Sequence, residues 1–162
     1  MISEFLSESL RTTALSAAMR GAGKAVRFLP IPQPTILVGP GSSGRLGQTI
    51  AGFGHEKILI VTDSIISKLG LLDDLTKALT AGGAEYVVFD AITPDAPIPL
   101  IEQGIDFYWE HGCDAIVAFG GGSSMDASKA IAAAVSNPGK TLRELAGYFK
   151  GLQTPVKIYA VP

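Results

Sequence analysis

Cysteine is nearly missing from this chain. Cys113 is the only one in 162 residues, so no disulfide can form within it and a reducing compartment, the cytoplasm, is the expected location. A surplus of basic charge is missing too. Thirteen Lys and Arg stand against fifteen Asp and Glu, for a formal charge of -2, and the basic residues are scattered. Binding a phosphate backbone needs cations gathered on one face, so nucleic acid is excluded as an expected partner. No stretch of about eighteen uninterrupted apolar residues occurs, and a membrane-spanning helix is not expected. Histidine is scarce: His55 and His111 are the only two. What is abundant is apolar residues, 47% against 17% charged, the composition of one ordinary globular domain with a substantial core.

The first 29 residues stand apart. Arg11, Arg20, Lys24 and Arg27 among Ser, Thr and Ala have the flavour of a transit peptide, but Glu4 and Glu8 oppose that reading. Ile2, Phe5, Leu6, Leu10, Ala14 and Ala17 fall near helical spacing, which predicts an amphipathic helix over 1–29 packed on the domain or on a partner subunit.

From Pro30 to Pro162, short β-rich apolar runs alternate with longer helical patterns, the signature of successive strand–helix–strand units and a parallel sheet. The predicted strands are Thr35–Gly39, Lys57–Asp63, Ala84–Asp90, Asp114–Gly120 and Val156–Val161. Their centres are almost continuously apolar, as expected of strands covered by helices on both faces. Helices are predicted at about Ser42–Ala51, Leu71–Ala81, Ile98–His111 and Ser123–Val135, with a short one near Thr141–Gly147. In the third, Ile98, Ile101, Ile105, Tyr108 and Trp109 are read as one buried stripe, both aromatics in the core. Pro94, Pro97 and Pro99 make Ala91–Pro99 a rigid crossover loop. The fold class is α/β: a Rossmann-like parallel sheet flanked by helices, forming a dinucleotide-binding domain over 30–162.

Two glycine turns compete for a ligand's phosphates. Gly39-Pro40-Gly41-Ser42-Ser43-Gly44 is a literal G-x-G-x-x-G between a predicted strand and helix, with Asp63 nineteen residues past its last glycine to accept a hydrogen bond from a ribose. Its plainer reading is a strand-to-helix turn with Ser42 or Ser43 as the cap. The second, Gly120-Gly121-Gly122-Ser123-Ser124, follows an apolar strand and opens a helix, where three residues without a β-carbon let a diphosphate approach the amides and the positive end of the helix dipole. Ser123 and Ser124 can cap that helix or donate hydroxyls, and Asp126 is read as lying in its first turn. The plainer alternative there is a capped turn with Asp126 complementing the dipole. Spacing and composition do not rank the two turns.

The stretch from Ala118 to Ala130, with Gly120-Gly121-Gly122-Ser123-Ser124, Asp126 and Lys129, resembles the GGGSxxDxxK signature of the iron-containing (group III) alcohol dehydrogenases. Val61-Thr62-Asp63, the proline-rich loop at Thr93–Pro97 and the closing Lys157–Pro162 add to a likeness that runs from about Ile36 to Pro162. The resemblance implies a dehydroquinate synthase-like nucleotide-binding domain. It puts the pyrophosphate of NAD on Gly120, Gly121, Gly122, Ser123 and Ser124, with Asp126 on the nicotinamide side, and makes Gly39–Gly44 a decoy. Asp63 holds the ribose hydroxyls under either scheme, and its charge would repel a 2′-phosphate, so NAD is expected over NADP. Lys129 is part of the motif, although its spacing from Asp126 also suits a simple ion pair. Where the family often has Asn-Pro-Thr in the crossover loop, this chain has Asp95-Ala96-Pro97, and no cofactor contact is carried over to that loop.

The resemblance further implies hydride transfer between an alcohol or aldehyde and NAD, assisted by iron or zinc held by one Asp and three His in a helical second domain. Two histidines fifty-six residues apart do not make that set, and both are read as surface or packing residues. The helical metal domain is therefore expected to be absent, the chain alone to be catalytically incompetent, and its uncovered apolar face to favour a homo-oligomer. The alternatives are the NAD-binding half of a glycerol dehydrogenase or a 3-dehydroquinate synthase-like enzyme, against which Ser123 and the Asp126–Lys129 pair weigh, and a non-catalytic nucleotide- or phosphosugar-binding module.

Overall fold

Four apolar pentapeptides form one parallel sheet in the computed structural model, which describes residues 34–146 and 156–162. They are β1 (Lys57–Val61), β2 (Glu85–Phe89), β3 (Ala115–Phe119) and β4 (Lys157–Val161), arranged in the order β2-β1-β3-β4. Every pairing is parallel, with Val61 opposite Phe89 on one side and opposite Ala118 on the other. The helices between them are α1 (Ser42–Gly52), α2 (Ser64–Lys68), α3 (Asp73–Ala81), α4 (Ile98–Glu110), α5 (Gly122–Val135) and α6 (Leu142–Leu145). Among the described residues no helix is long and apolar enough to cross a membrane. The helix expected over 1–29 lies outside the described residues.

Alternation along the strands splits the interior into two cores. Ile58 and Ile60 of β1, with Ala115, Val117 and Phe119 of β3, face Ile50 of α1 and Leu75 and Leu79 of α3. Leu59, Val61 and Ile116 face the opposite way, onto Ile101 and Tyr108 of α4 and Ile131 and Val135 of α5. Strands apolar on both sides are what a helix-covered sheet requires. Burying each such Ile or Leu contributes about 1.5–3 kcal/mol, so these two layers dominate the stability of the fold.

Two expectations are corrected, and one helix is new. Residues Thr35–Gly39 are not a strand. A strand exists only where a neighbour supplies its hydrogen bonds; here the Arg45 guanidinium bonds to the carbonyls of Val38 at 2.9 Å and Pro40 at 3.0 Å, and Val38 is exposed. Trp109 is not a core aromatic: it is 55% exposed while Tyr108 is buried, and Ile98, read as part of the same buried stripe, is exposed as well. Adjacent helical residues point about 100° apart, and Ile101, Gly104 and Tyr108 already take the inward stripe of α4. The short helix α2 was not expected from the sequence.

The topology sets where a ligand belongs. From β1 the chain steps to β2 on one side, then crosses over to β3 on the other, which makes the carboxyl ends of β1 and β3 the switch point of the sheet. Open α/β sheets bind their ligands in the crevice at that place. Asp63 and Gly120 sit there together, each two residues beyond the paired positions Val61 and Ala118.

Candidate functional site

The turn after β3 is built around Gly120. Its φ of 132° lies where residues with a side chain rarely go, and a β-carbon on it would stand 2.9 Å from Ile66 Cδ1 and 3.0 Å from Ser124 Oγ. Its amide donates to Val161 O at 2.9 Å. Gly120 is thus a glycine the fold demands. Gly121 and Gly122 are different. Gly121 has an ordinary φ of -69°, Gly122 is the first residue of α5, and a β-carbon on either would meet nothing within 4 Å.

That empty space lies over an uncapped helix. Gly121 is the N-cap of α5 and no side chain bonds to the first turn, so the leading amides have no partner within the helix. Ser123 is half-buried, and Ser124 is buried beneath the turn, its carbonyl accepting from Ser128 Oγ at 2.7 Å. Neither serine caps α5, which removes the plainer reading of that pair. Because α5 begins at Gly122, one residue earlier than expected, Asp126 lies in its second turn and the first turn holds no acidic residue. Asp126 is exposed and pairs with Lys129, Oδ1 to Nζ 3.1 Å. The ion pair allowed by their spacing therefore forms.

Asp63 stands at the end of β1 and opens α2. Its Oδ1 accepts the amides of Ile65 at 2.8 Å and Ile66 at 3.0 Å, an aspartate N-cap of the ordinary kind. Its second oxygen has no partner among the described residues. Beside it, Thr62 N donates to Phe89 O and Ile92 N to Thr62 O, so the crossover loop hooks over the end of β1. Asp95 and Ala96 in that loop have φ of 65° and 35°, a left-handed pair just before Pro97. Sequence reasoning missed α2, although Asp63 ahead of two isoleucines and Gly70 at φ 70° after Leu69 are ordinary start and stop signals.

The Gly39–Gly44 turn has another explanation. Gly39 and Gly41 have φ of 103° and 71°, so backbone geometry alone calls for glycine there. Gly44 lies in α1, where a β-carbon would make ordinary contact with Asp74. Arg45 spends its guanidinium on the loop carbonyls. No strand of the sheet delivers this turn to the switch point.

Neither histidine is placed for a metal. His55 Nε2 lies 2.9 Å from the Tyr159 hydroxyl and Nδ1 3.4 Å from Asp114 Oδ2. His111 Nδ1 lies 2.9 Å from Phe107 O, its ring against the Phe107 ring. Among the described residues no group of three or more His, Cys, Asp or Glu could hold a metal ion.

A parallel α/β sheet with a glycine-rich turn and a carboxylate at its switch point defines a Rossmann-like nucleotide-binding domain. The family model for iron-containing alcohol dehydrogenase matches residues 32–162, and the chain belongs to that family. Choline dehydrogenase of Bacillus subtilis (strain 168) is 37% identical over 117 residues, covering 72% of this chain and 29% of that protein. Lactaldehyde reductase of Escherichia coli (strain K12) is 31% identical over 129 residues, 79% of this chain and 34% of that protein. Among solved structures, a 1,3-propanediol oxidoreductase superposes with a TM-score of 0.70 at 30% identity, covering 75% of this chain and 32% of that one. The chain spans about a third of the length of the relatives it matches.

Proposed function

We propose that this chain supplies the dinucleotide-binding part of an NAD-dependent alcohol dehydrogenase. The observation behind this reading is that Gly121 and Gly122 leave open space over the first amides of α5, where a β-carbon on either would meet nothing within 4 Å. Inside α5, Gly122 costs up to about 0.5–1 kcal/mol relative to alanine without relieving strain or a clash, whereas Gly121 stands at the N-cap, where glycine is favoured over alanine. Access of a ligand to the amides is the remaining reason for Gly122, and an open Gly121 beside it serves the same access. A diphosphate suits the place, because the amides of Gly121, Gly122, Ser123 and Ser124 and the helix dipole act on the same anion.

The other residues take roles to match. The free oxygen of Asp63 accepts from the hydroxyls of the adenosine ribose, and its charge disfavours a 2′-phosphate, so the cofactor is NAD. Asp126, tethered by Lys129, faces the nicotinamide side. When bound, NAD would supply the hydride acceptor for oxidation of an alcohol and, reduced, the hydride donor for an aldehyde. This chain's part is to bind and orient the dinucleotide. A relative at 33% identity is a NAD-dependent methanol dehydrogenase of Bacillus methanolicus, which supports a small alcohol or aldehyde as the substrate.

The iron of the family's name does not fit the residues of this chain. Its two histidines are engaged by Tyr159, Asp114 and Phe107, and no third exists. We further propose that the working protein is a homo-oligomer of the cytoplasm, where the buried thiol of Cys113 stays reduced.

Calorimetric titration of the chain with NAD, AMP and a sugar phosphate tests the reading. NAD binding is expected; selective binding of the sugar phosphate would replace it with a phosphosugar module. With ferrous iron, NAD and short alcohols, the 162-residue chain is expected to give no NADH absorbance, and sustained turnover would refute the assigned division of labour.

A further inference from the structure

Gly120 is clamped from two sides. On one, its amide bonds to Val161 O; on the other, the tip of Ile66 fills the face where any other residue would carry its side chain, 2.9 Å from the position of a β-carbon. Ile66 is brought there by α2, a helix of five residues capped by Asp63, whose Oδ1 takes the amides of Ile65 and Ile66. One carboxylate therefore serves two ends of the site. One oxygen builds the helix that backs the glycine turn, and the other stays open beside it.

We infer that Ile66 is a positioning residue for diphosphate recognition: its δ-methyl sets the height of the bend at Gly120 and so aims the amides of Gly121 to Ser124. Ile66 itself packs on the core that holds Ile60, Val117 and Phe119, so its stem is anchored. A β-branched side chain on a helix is restricted at χ1, which holds the Ile66 stem against that core. An anion bound by several convergent amides is sensitive to their aim, because hydrogen bonds weaken steeply once misaligned. Nothing about Ile66 touches the ligand; it acts through Gly120.

The inference rests on the assignment of Gly120–Ser124 as the diphosphate site, and the test separates the two. Ile66→Val removes the δ-methyl and little else, a deletion small enough to leave the chain folded. Calorimetry with ADP and with adenosine reads the outcome. The wild-type chain is expected to bind ADP more tightly than adenosine. Ile66→Val is expected to lose about tenfold in ADP affinity, the loss that comes with one misaligned hydrogen bond to a charged group, while adenosine binding is unchanged. Ile66→Leu, which retains δ-carbons, is expected to recover ADP binding, and failure to recover would overturn the role given to the δ-methyl. Unchanged ADP affinity in Ile66→Val, or an equal loss for both ligands, overturns the positioning role while leaving the diphosphate site standing. A wild-type chain that does not prefer ADP over adenosine overturns both.

Discussion

His55 Nε2 stands 2.9 Å from the hydroxyl of Tyr159, a bond that ties the turn after α1 to the edge strand β4. The same imidazole reaches Asp114, whose carboxylate also accepts the amides of Glu56 at 3.0 Å and Lys57 at 3.3 Å. The Phe53 ring stacks on Tyr159 at 6.1 Å. This polar chain closes the sheet at the end opposite the glycine turn, so its role is in stability. Tyr159→Phe removes one hydrogen bond and is expected to lower stability by about 1 kcal/mol. The urea midpoint should fall with an unchanged slope and NAD affinity should stay the same. An unmoved midpoint would mean that the bond contributes nothing beyond what water supplies.

Gly121→Ala and Gly122→Ala distinguish a ligand site from a mere turn. Neither β-carbon meets another atom within 4 Å, and neither backbone requires glycine. Gly122→Ala is expected to melt at or above the wild-type temperature, since removing glycine entropy from a compatible position stabilises by about 0.4–1 kcal/mol, while Gly121→Ala trades a favoured N-cap for a poor one and is expected to lose up to about 1 kcal/mol. NAD affinity is nevertheless expected to fall by about tenfold or more, as a methyl group occupies the ligand's side of the amides. Gly120→Ala should lose stability as well as affinity, because of its φ of 132° and its contact with Ile66. Full NAD affinity in Gly121→Ala and Gly122→Ala would return the triple glycine to a structural role.

Much of this was readable before the structure. Runs such as Ala115–Phe119 and Lys57–Val61 are apolar at every or nearly every position, and only a sheet covered on both faces accepts them, so the parallel α/β fold followed. The switch-point residues Asp63 and Gly120 were both legible, being a carboxylate and a glycine turn at the ends of such runs. What failed depended on neighbours. Thr35–Gly39 has the pattern of a strand, but pairing is a property of two segments. Trp109 has the composition of a core residue, but Tyr108 holds the inward direction at that turn of α4. Asp126 seemed close to the start of its helix because glycines are poor helix formers, yet the helix begins at Gly122. The cap made by Asp63 was hidden because a cap and a ribose ligand ask for the same side chain.

Asp63→Asn should separate the observed cap from the proposed ribose contact. An asparagine caps a helix about as well as an aspartate, so α2 is expected to persist with only a small change in melting temperature. The charge that repels a 2′-phosphate is lost. Relative affinity for NAD over NADP is therefore expected to shrink by about tenfold. Asp63→Ala should lose the cap too, lowering stability by about 1 kcal/mol. Measured side by side by calorimetry and thermal melts, an unaltered NAD-to-NADP ratio in Asp63→Asn would remove the ribose role from this residue.

Alkaline pH gives a last test, because two buried groups beneath α4 resist ionisation. Burial pushes the Cys113 thiol from 9.0 up to about 11; of its charged neighbours, Lys57 opposes the rise and Asp114 adds to it. Burial likewise pushes the Tyr108 hydroxyl from 10.0 up to about 12, with Cys113 and Asp114 adding to it. In the unfolded chain both ionise near their ordinary values. From about pH 9 to about pH 12, therefore, the unfolded state has released protons that the folded state still holds, and stability falls as pH rises through that window. Below pH 9 the contribution of these two groups is complete and flat. Denaturation midpoints measured across this range should show the decline, and Cys113→Ala should remove its lower part, up to about pH 11. In the native state near neutral pH the thiol should react with a thiol reagent only as fast as the chain opens, since it is both buried and protonated. Rapid labelling of the folded chain, or a midpoint in Cys113→Ala that declines just as the wild type does, would contradict the packing of Cys113 against Tyr108.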